Sequence, residues 1–296
     1  MTLEQLRLFV AVAEREHVTR AAAAIHRTQS AVSAAIAGLE HQSGVTLFHR
    51  VGRRIALTEE GRQFLVEARA VVAQAAAAER ALADLAGLKR GTLTLMASQT
   101  IASYWLPPRL VAFRARHPQV TVKALVGNTA EVAQAVAEGR VEIGLVEGAV
   151  HDPMLEQTQV GRDRLVIVVP ADHPWTKKPP RAADLLKEQW VLREPGSGTR
   201  SAFETAIANK GVDPRRLNVS LELPSNEAVR LAVREGAGVS ALSELVADAN
   251  MGALALVKFA LPDRPFHALC HRERYLSKSG LAFMALAGEE RPTGRG

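Results

Sequence analysis

The sequence has almost no cysteine and no long apolar run. Cys270 is the one cysteine among 296 residues, which excludes an internal disulfide and any cysteine-rich metal site. No stretch approaches the roughly 18 uninterrupted apolar residues that a membrane-spanning helix needs. The opening MTLEQLRLFVAVAEREH places acidic residues among its apolar positions and lacks a basic lead-in and a small-residue cleavage site. The sequence therefore predicts a cytoplasmic protein.

Familiar catalytic motifs are also missing. The segment GSGT, residues 196–199, lacks the Lys-Ser/Thr ending of a phosphate-binding loop, no GxSxG occurs, and the nine histidines show no paired metal spacing. His267, Cys270 and His271 are close in sequence, but strand alternation would send Cys270 and His271 to opposite faces. We therefore expect no enzyme, no metal and no cofactor, with Cys270 as a small core residue.

The overall charge does not locate a partner. A formal net charge of +6 permits a polyanionic partner, but the basic excess is spread along the chain, so only local clusters can identify one. A content of 47% hydrophobic and 23% charged residues is that of a globular protein. The length predicts two or three structural units.

The N-terminal segment has the spacing of a helix-turn-helix. Apolar residues from Leu3 to Ala13 recur at helical steps, Thr19 can cap a second short helix, and HRTQ is a turn. Ser30 can then cap a third helix that ends before Gly44. Its predicted inward face is Val32, Ala35, Ile36 and Leu39. In a helix-turn-helix unit, the second of the two paired helices enters the DNA major groove with its N-terminal end.

That helix end and the hairpin after it carry the candidate DNA contacts. Gln29 can pair with adenine through two hydrogen bonds, and serine and threonine are adaptable base readers. Two β-prone runs, VTLFHR and RIALT, flank Gly52 and predict a hairpin whose arginines would reach the DNA backbone or minor groove as a wing. The bland alternative is a polar interhelix turn beside a solvated basic face. The candidates are Arg27, Thr28, Gln29, Ser30, Ser33, Arg50, Arg53 and Arg54.

A long helix follows Thr58. It continues for about 30 residues without proline, which gives a rod of roughly 45 Å. Its small and apolar residues fall near heptad seam positions, with Glu79 as an interruption, so we expect the rod to pair with a second copy. The alternative is that it packs onto its own domain. The seam positions are Leu65, Ala68, Val72, Ala75, Leu82 and Ala86.

Beyond a linker at GLKRG, residues 87–91, strand patterns alternate with helix patterns. This alternation predicts an open, largely parallel α/β sheet covered on both faces, as either two small sheets or one large one. The tail GEERPTGRG is polar, and we expect it to be loose.

Several motifs resemble one family. The pieces AA..IHRTQSAVS, I..LE...GV.LF.R and R...LTEEG are similar to the winged helix-turn-helix of LysR-type transcriptional regulators, and HPQVTVKALVGNT, GRVEIGLVEG and REPGSGTR resemble their effector domain. The resemblance implies dimers through the linker helix, tetramers on promoter DNA, and RNA polymerase as a further partner. It places DNA contacts on six of the candidates. Two positions depart from the family pattern: Ala34 stands where a large polar residue is common, and Ser30 where proline is. The six are Thr28, Gln29, Ser30, Ser33, Arg50 and Arg53.

The resemblance also implies a two-lobed effector domain of periplasmic-binding-protein type. The winged helix-turn-helix would occupy residues 1–58, the linker helix 59–91 and the effector domain 92–290, followed by a flexible tail at 291–296. The chain would cross between lobes near 161–165 and 262–266. Lobe I would hold 92–161 and 266–290, and lobe II 162–265.

Strand ends of that domain supply the candidate effector residues. Ligands of α/β sheets bind where strand carboxyl ends meet helix N-termini, and hydroxyl and amide donors there favour a small oxyanion or carboxylate. Glu147 argues against an anion, and each residue alone could be an ordinary helix cap. The candidates are Ser98, Gln99, Thr100, Asn128, Thr129, Val146, Glu147, Glu194, Ser197, Gly198, Thr199, Ser225 and Asn226.

Two other classes of protein stay open as alternatives. An enzyme would need a catalytic motif that the sequence does not offer. A solute-binding protein for transport would need an export signal and would leave residues 1–60 without a purpose. The sequence therefore predicts a regulator whose DNA binding responds to a small molecule.

Overall fold

A computed structural model describes residues 1–52, 54–85, 91–248 and 252–289. The chain divides into an N-terminal unit, which contains residues 1–85, and a C-terminal unit, which contains every helix and strand from residue 91 onward. The predicted positions Arg53 and Ala86, most of the linker and the tail lie outside the described residues. None of the described helices is both long enough and apolar enough to cross a bilayer.

The N-terminal unit has the predicted helices and hairpin. Thr2 caps the first helix through a capping box. The Gln5 backbone N–H donates to the Thr2 hydroxyl, and the Thr2 backbone N–H donates to the Gln5 side chain. Gly44 ends the third helix in the left-handed conformation, with φ of 69°. The elements are α1 (Leu3–Ala13), α2 (Val18–Ala24), α3 (Gln29–Ser43), β1 (Phe48–Val51), β2 (Arg54–Leu57) and α4 (Glu59–Leu85).

Two predicted helix caps are each wrong by two residues. Thr28, not Ser30, caps α3, because its hydroxyl accepts the Ala31 N–H at 3.2 Å. His17, not Thr19, caps α2, with its imidazole Nδ1 accepting the Arg20 N–H at 3.4 Å. The sequence pattern allowed more than one polar residue at each start, and the turn geometry selects the one whose side chain accepts a backbone N–H of the first turn.

One aromatic side chain centres the N-terminal core. Phe9 is fully buried and its ring lies 5.4 Å from that of Phe48 and 5.0 Å from that of Phe64, measured between centroids. The buried face of α3 is Val32, Ile36 and Leu39, as predicted, with Ala35 partly buried beside it.

The first half of the predicted α4 seam packs within its own unit. Ala68 is 1% exposed and joins the same cluster as Leu6 and Phe9, with Leu65 and Val72 packed beside it. These residues therefore pack on the α1 side of their own unit. The alternative that the helix packs onto its own domain is correct for this half.

The C-terminal unit contains one seven-stranded sheet and a separate two-stranded one. The large sheet has the order β10-β6-β11-β5-β3-β4, with β9 also paired to β6, and β7 pairs with β8. The strands are β3 (Gly91–Ser98), β4 (Val120–Gly127), β5 (Ile143–Glu147), β6 (Leu155–Pro170), β7 (Gln189–Arg193), β8 (Asn218–Leu223), β9 (Ser240–Ser243), β10 (Leu254–Val257) and β11 (Asp263–His271).

The large sheet is mixed and not largely parallel, which corrects the prediction. β3 runs parallel to β4 and β5, but β11 runs antiparallel to β5 and to β6, and β6 runs antiparallel to β9 and β10. The reason is that the two long strands β6 and β11 cross the unit beside each other in opposite directions. Alternating strand and helix patterns carry no information on that pairing.

The helices of this unit cover apolar clusters in two lobes. Lobe I, as we use the term, comprises β3, β4, β5, β11, the first half of β6 and the helices α5, α6 and α10; lobe II comprises β7 to β10, the second half of β6 and α7, α8 and α9. Phe113 and Phe283 lie in the lobe I core, and Trp190 and Phe203 in the lobe II core. The helices are α5 (Pro107–Arg116), α6 (Thr129–Ala137), α7 (Gly198–Ala208), α8 (Asn226–Arg234), α9 (Glu244–Asp248) and α10 (Lys278–Gly288).

Cys270 packs against the lobe I core, as predicted. Burial, with smaller contributions from Glu156 and Glu142, raises the pKa of its thiol to about 11. The thiol is therefore protonated at neutral pH, which is the state of an inert core residue.

Two helical glycines of the N-terminal unit give opposite expectations for alanine. A Cβ on Gly61 would lie 2.1 Å from the Leu47 carbonyl oxygen, whereas one on Gly38 would meet its nearest atom at 3.6 Å. We expect Gly61→Ala to lower the free energy of unfolding by about 1–3 kcal/mol and Gly38→Ala to raise it by up to about 1 kcal/mol. Urea denaturation of both variants tests this. Equal effects would show that the backbone near Leu47 yields easily.

Candidate functional site

The N-terminal end of α3 presents a row of exposed polar side chains. Gln29, Ser30 and Ser33 are exposed, while Val32 and Ile36 on the other face of the helix are buried. The Thr19 hydroxyl lies 3.2 Å from the Gln29 side-chain oxygen and donates to it. Thr19, whose predicted role was a cap, therefore orients the Gln29 amide.

The hairpin β1–β2 closes one side of a polar groove beside α3. The groove has a volume of about 360 Å³ and contains Gln29 and Ser33 from α3 together with Arg50 and Arg54 from the hairpin. Both arginines are exposed. Arg53 lies outside the described residues. We call this surface the α3–hairpin groove; its lining is completed by His17, Val18, Thr19, Gly52 and Ile55.

Besides Gln29, further predicted DNA contacts have partners within the protein. Arg27 pairs with Glu4, the closest nitrogen–oxygen distance being 3.0 Å. Thr28 is the α3 cap, and its hydroxyl is also 3.1 Å from that of Ser30. Neither arrangement is buried, so both side chains can still exchange partners.

Glu40 belongs to the motif I..LE...GV.LF.R but was not among the predicted site residues. Its Oε1 accepts the N–H groups of Leu47 at 2.7 Å and Phe48 at 3.1 Å. A carboxylate on α3 thereby fixes the start of the hairpin. Its place in that motif was the available signal, but the motif does not reveal the bonds to the hairpin.

Glu147, at the end of β5, lies where the two lobes meet. This side chain is only 2% exposed. Its Oε2 contacts the Ser98 hydroxyl at the end of β3, and its Oε1 lies 3.5 Å from the Thr199 hydroxyl at the start of α7. Its backbone carbonyl accepts the Thr129 hydroxyl at 2.7 Å. Four predicted effector residues thus meet at one point.

Gly198 allows the two lobes to approach at this point. A Cβ on it would lie 1.8 Å from the Glu147 carbonyl oxygen and 2.5 Å from the Thr129 hydroxyl oxygen. Glycine is therefore required here by close backbone approach. Gly198 was predicted in the site because it begins a helix, and that position does not reveal this contact.

A buried ion pair that sequence analysis missed lies next to Glu147. Arg264 on β11 and Asp163 on β6 are both buried, and two guanidinium nitrogens lie 2.9 and 2.6 Å from the same Asp163 oxygen. The other Asp163 oxygen accepts the Ser243 hydroxyl at 2.9 Å. The third guanidinium nitrogen donates to Thr199 at 3.1 Å and lies 3.7 Å from Glu147. A charged residue in each predicted crossover was the available signal.

A second polar cluster joins the lobes at the start of α8. Asn226 is fully buried; its backbone N–H donates to the Gln99 side chain at 2.6 Å and its amide nitrogen to Thr100 at 3.1 Å. Arg193 donates to the Asn226 amide oxygen at 2.7 Å and holds Glu194 with two hydrogen bonds of 2.8 and 2.9 Å. The predicted residues Gln99, Thr100, Glu194 and Asn226 are therefore brought together.

Tyr104 adds one more bond between the lobes. Its hydroxyl donates to Glu227 at 3.0 Å. Burial, followed by the neighbouring Glu227 carboxylate, raises the pKa of Tyr104, so the phenol keeps its proton and acts as a donor.

The remaining predicted effector residues lie at helix starts or pack in the core. Asn128 and Glu131 exchange side-chain and backbone hydrogen bonds at the start of α6, and Ser225 caps α8. Ser197 is buried at the N-cap of α7. Val146 is fully buried in an apolar cluster of lobe I, which makes it a core residue.

Two family descriptions match this chain. Residues 3–62 match a bacterial regulatory helix-turn-helix protein of the lysR family, and residues 86–292 match the LysR substrate binding domain. The chain is 34% identical, over 288 residues and 96% of each sequence, to the HTH-type transcriptional regulator YeiE of Escherichia coli K12. The first match contains the α3–hairpin groove, and the second contains Glu147 and the residues that contact it.

Two solved structures have a similar fold. Full-length CbnR complexed with its target DNA superposes with a TM-score of 0.68 at 23% identity, over 97% of this chain and 99% of that one. The regulatory domain of CcmR from Synechocystis PCC6803, in complex with 2-PG, superposes with a TM-score of 0.61 at 25% identity, over 67% of this chain and 96% of that one.

The Arg264–Asp163 pair predicts a non-additive response to mutation. Arg264→Met leaves a buried unpaired carboxylate, so we expect a loss of about 3–5 kcal/mol in the free energy of unfolding. Adding Asp163→Asn removes that charge and is expected to restore part of the loss. Urea denaturation of the two single variants and the double variant measures the coupling. Strictly additive losses would mean that the two charges do not depend on each other.

Proposed function

Because this chain belongs to the LysR family of transcriptional regulators, we propose that it binds promoter DNA through α3 and the β1–β2 hairpin, and that a small anion in the cleft modulates this binding. The members of the family matched here are regulators and not enzymes, in agreement with the sequence. The proposed domain boundaries are those predicted: residues 1–58, 59–91 and 92–290.

Support for the DNA contact comes from the α3–hairpin groove. Gln29 and Ser33 line it on one side and Arg50 and Arg54 on the other. An exposed amide held by Thr19 suits a base edge in the major groove, and the exposed arginines suit phosphates on the flanking backbone. CbnR, which has the same fold, was solved with its target DNA.

An apolar stripe on α4 supports a dimer. Val71, Leu82 and Leu85 are 48%, 69% and 84% exposed, and with Ala75 and Ala78 they fall on one face at heptad spacing. We propose that this stripe, rather than the half of the helix packed on α1, meets the same stripe of a second copy. The tetramer and the contact with RNA polymerase stay predictions.

The cleft supports a small effector. Hydroxyl donors from both lobes and the N-terminus of α7 converge beside Glu147, and such groups favour an oxyanion or a carboxylate. CcmR was solved with 2-PG. The anionic class of the effector rests on this donor set.

Gel-shift titrations of single variants test the DNA contact. We expect Gln29→Ala to weaken binding to fragments upstream of the protein's own gene by about 1–3 kcal/mol and to leave random DNA nearly unaffected. Arg54→Ala should weaken both and lower the slope of affinity against salt by about one. Gln42→Ala, at the far end of α3, is the matched control and should change neither. An equal loss on specific and random DNA for Gln29→Ala would contradict a role in base reading.

Sedimentation at micromolar concentration tests the dimer. Leu82→Glu places a charge in the proposed seam, so we expect a shift toward monomer. Val66→Glu is the matched control, because Val66 is 63% exposed on the opposite face of α4. A natural chain that sediments as a monomer, or equal dissociation by both variants, would rule out the stripe as the interface.

A further inference from the structure

The hydroxyl donors of the proposed effector site already have an anion. Ser98 and Thr199 both contact the Glu147 carboxylate. All three side chains are at least nine-tenths buried. A carboxylate of the protein therefore occupies the position in which these donors would bind an anionic ligand.

The charges around Glu147 would repel a second anion placed beside it. Arg264 is the cation nearest to Glu147, and its three donor nitrogens are directed to Asp163 and Thr199. Arg264, Asp163 and Glu147 together carry one positive and two negative formal charges, a net of −1. An anion placed beside this group would be repelled at short distance in a poorly solvated site.

The position of Glu147 also bridges the lobes. It belongs to β5 of lobe I, while Thr199 belongs to α7 of lobe II. The carboxylate therefore holds the two lobes together through the groups that a ligand would use.

We propose that Glu147 is a built-in ligand of the cleft: its carboxylate occupies the effector site and holds the lobes closed until an anionic effector displaces it. This inference rests on the proposed effector site and specifies how that site is regulated. Displacement frees the Ser98 and Thr199 hydroxyls for the incoming anion and moves the Glu147 charge away from it. Effector binding is then a competition between two carboxylates or oxyanions for one donor set.

Chemical rescue with a small carboxylate tests the proposal. Glu147→Ala removes the internal ligand, so we expect a lower melting temperature that sodium acetate raises in a saturable manner. The affinity of this variant for acetate should exceed that of the natural chain by on the order of ten-fold or more. Sodium chloride at equal ionic strength should not reproduce the effect. Glu222→Ala is the matched control, since it removes an exposed carboxylate that pairs with Arg200, and acetate should not rescue it.

Glu147→Gln provides the same test if the alanine variant folds poorly. The amide keeps the volume and removes the charge, so acetate should stabilise this variant more than the natural chain, by a smaller margin. Equal acetate affinity in the natural chain and in the variants overturns the built-in ligand. Stabilisation of the natural chain by methylammonium, lost in Glu147→Gln, would instead identify a cation site and also overturn it.

The outcomes separate this inference from the proposed function. If acetate binds natural and variant chains equally, the cleft takes anions but Glu147 does not compete with them. If no variant responds to acetate, to sulfate or to succinate, both the built-in ligand and the anionic effector are wrong. The proposal that the chain binds DNA is tested separately by the Gln29 and Arg54 variants and does not depend on either result.

Discussion

The C-terminal unit depends on one buried ion pair where its two long strands run side by side. Arg264 on β11 and Asp163 on β6 are both nearly inaccessible to solvent, and each is costly to bury without the other. Their pairing fixes β6 against β11 at the register where the chain passes between lobes. Ser243 and Thr199 complete the hydrogen bonds of the pair, so elements of lobe II are attached to the same point.

The Arg264–Asp163 pair determines the charge available near Glu147. Because Arg264 is neutralised by Asp163, the cation nearest to Glu147 does not supply a free positive charge. The anion recognition that we propose therefore depends on hydroxyl groups and the α7 N-terminus, which bind an anion more weakly than a free cation does. Donors of this kind suit the displacement that we propose for Glu147, whereas an unpaired arginine would retain any anion firmly.

In the N-terminal unit, short-range interactions position the exposed side chains. The buried face of α3 and the Glu40 bonds to the hairpin start set the distance between helix and hairpin. Thr19 and Thr28 then arrange the polar end of α3 through hydrogen bonds within a few residues of sequence or across the turn. The result is a row of polar groups on a rigid support, which is what base reading needs.

The sequence by itself determined the features that depend on local spacing. Helical periodicity located α1 and α3, Gly44 marked a helix end, and the two β-prone runs around Gly52 specified the hairpin, because capping, turn chemistry and amphipathic burial act over a few residues. The motifs also identified the family. Only the tertiary structure decided that β6 and β11 pair antiparallel, that Arg264 meets Asp163, and that Glu147 turns inward onto Ser98 and Thr199. Those partners are separated by 101, 49 and 52 residues, and long-range pairing is set by the packing of whole sheets.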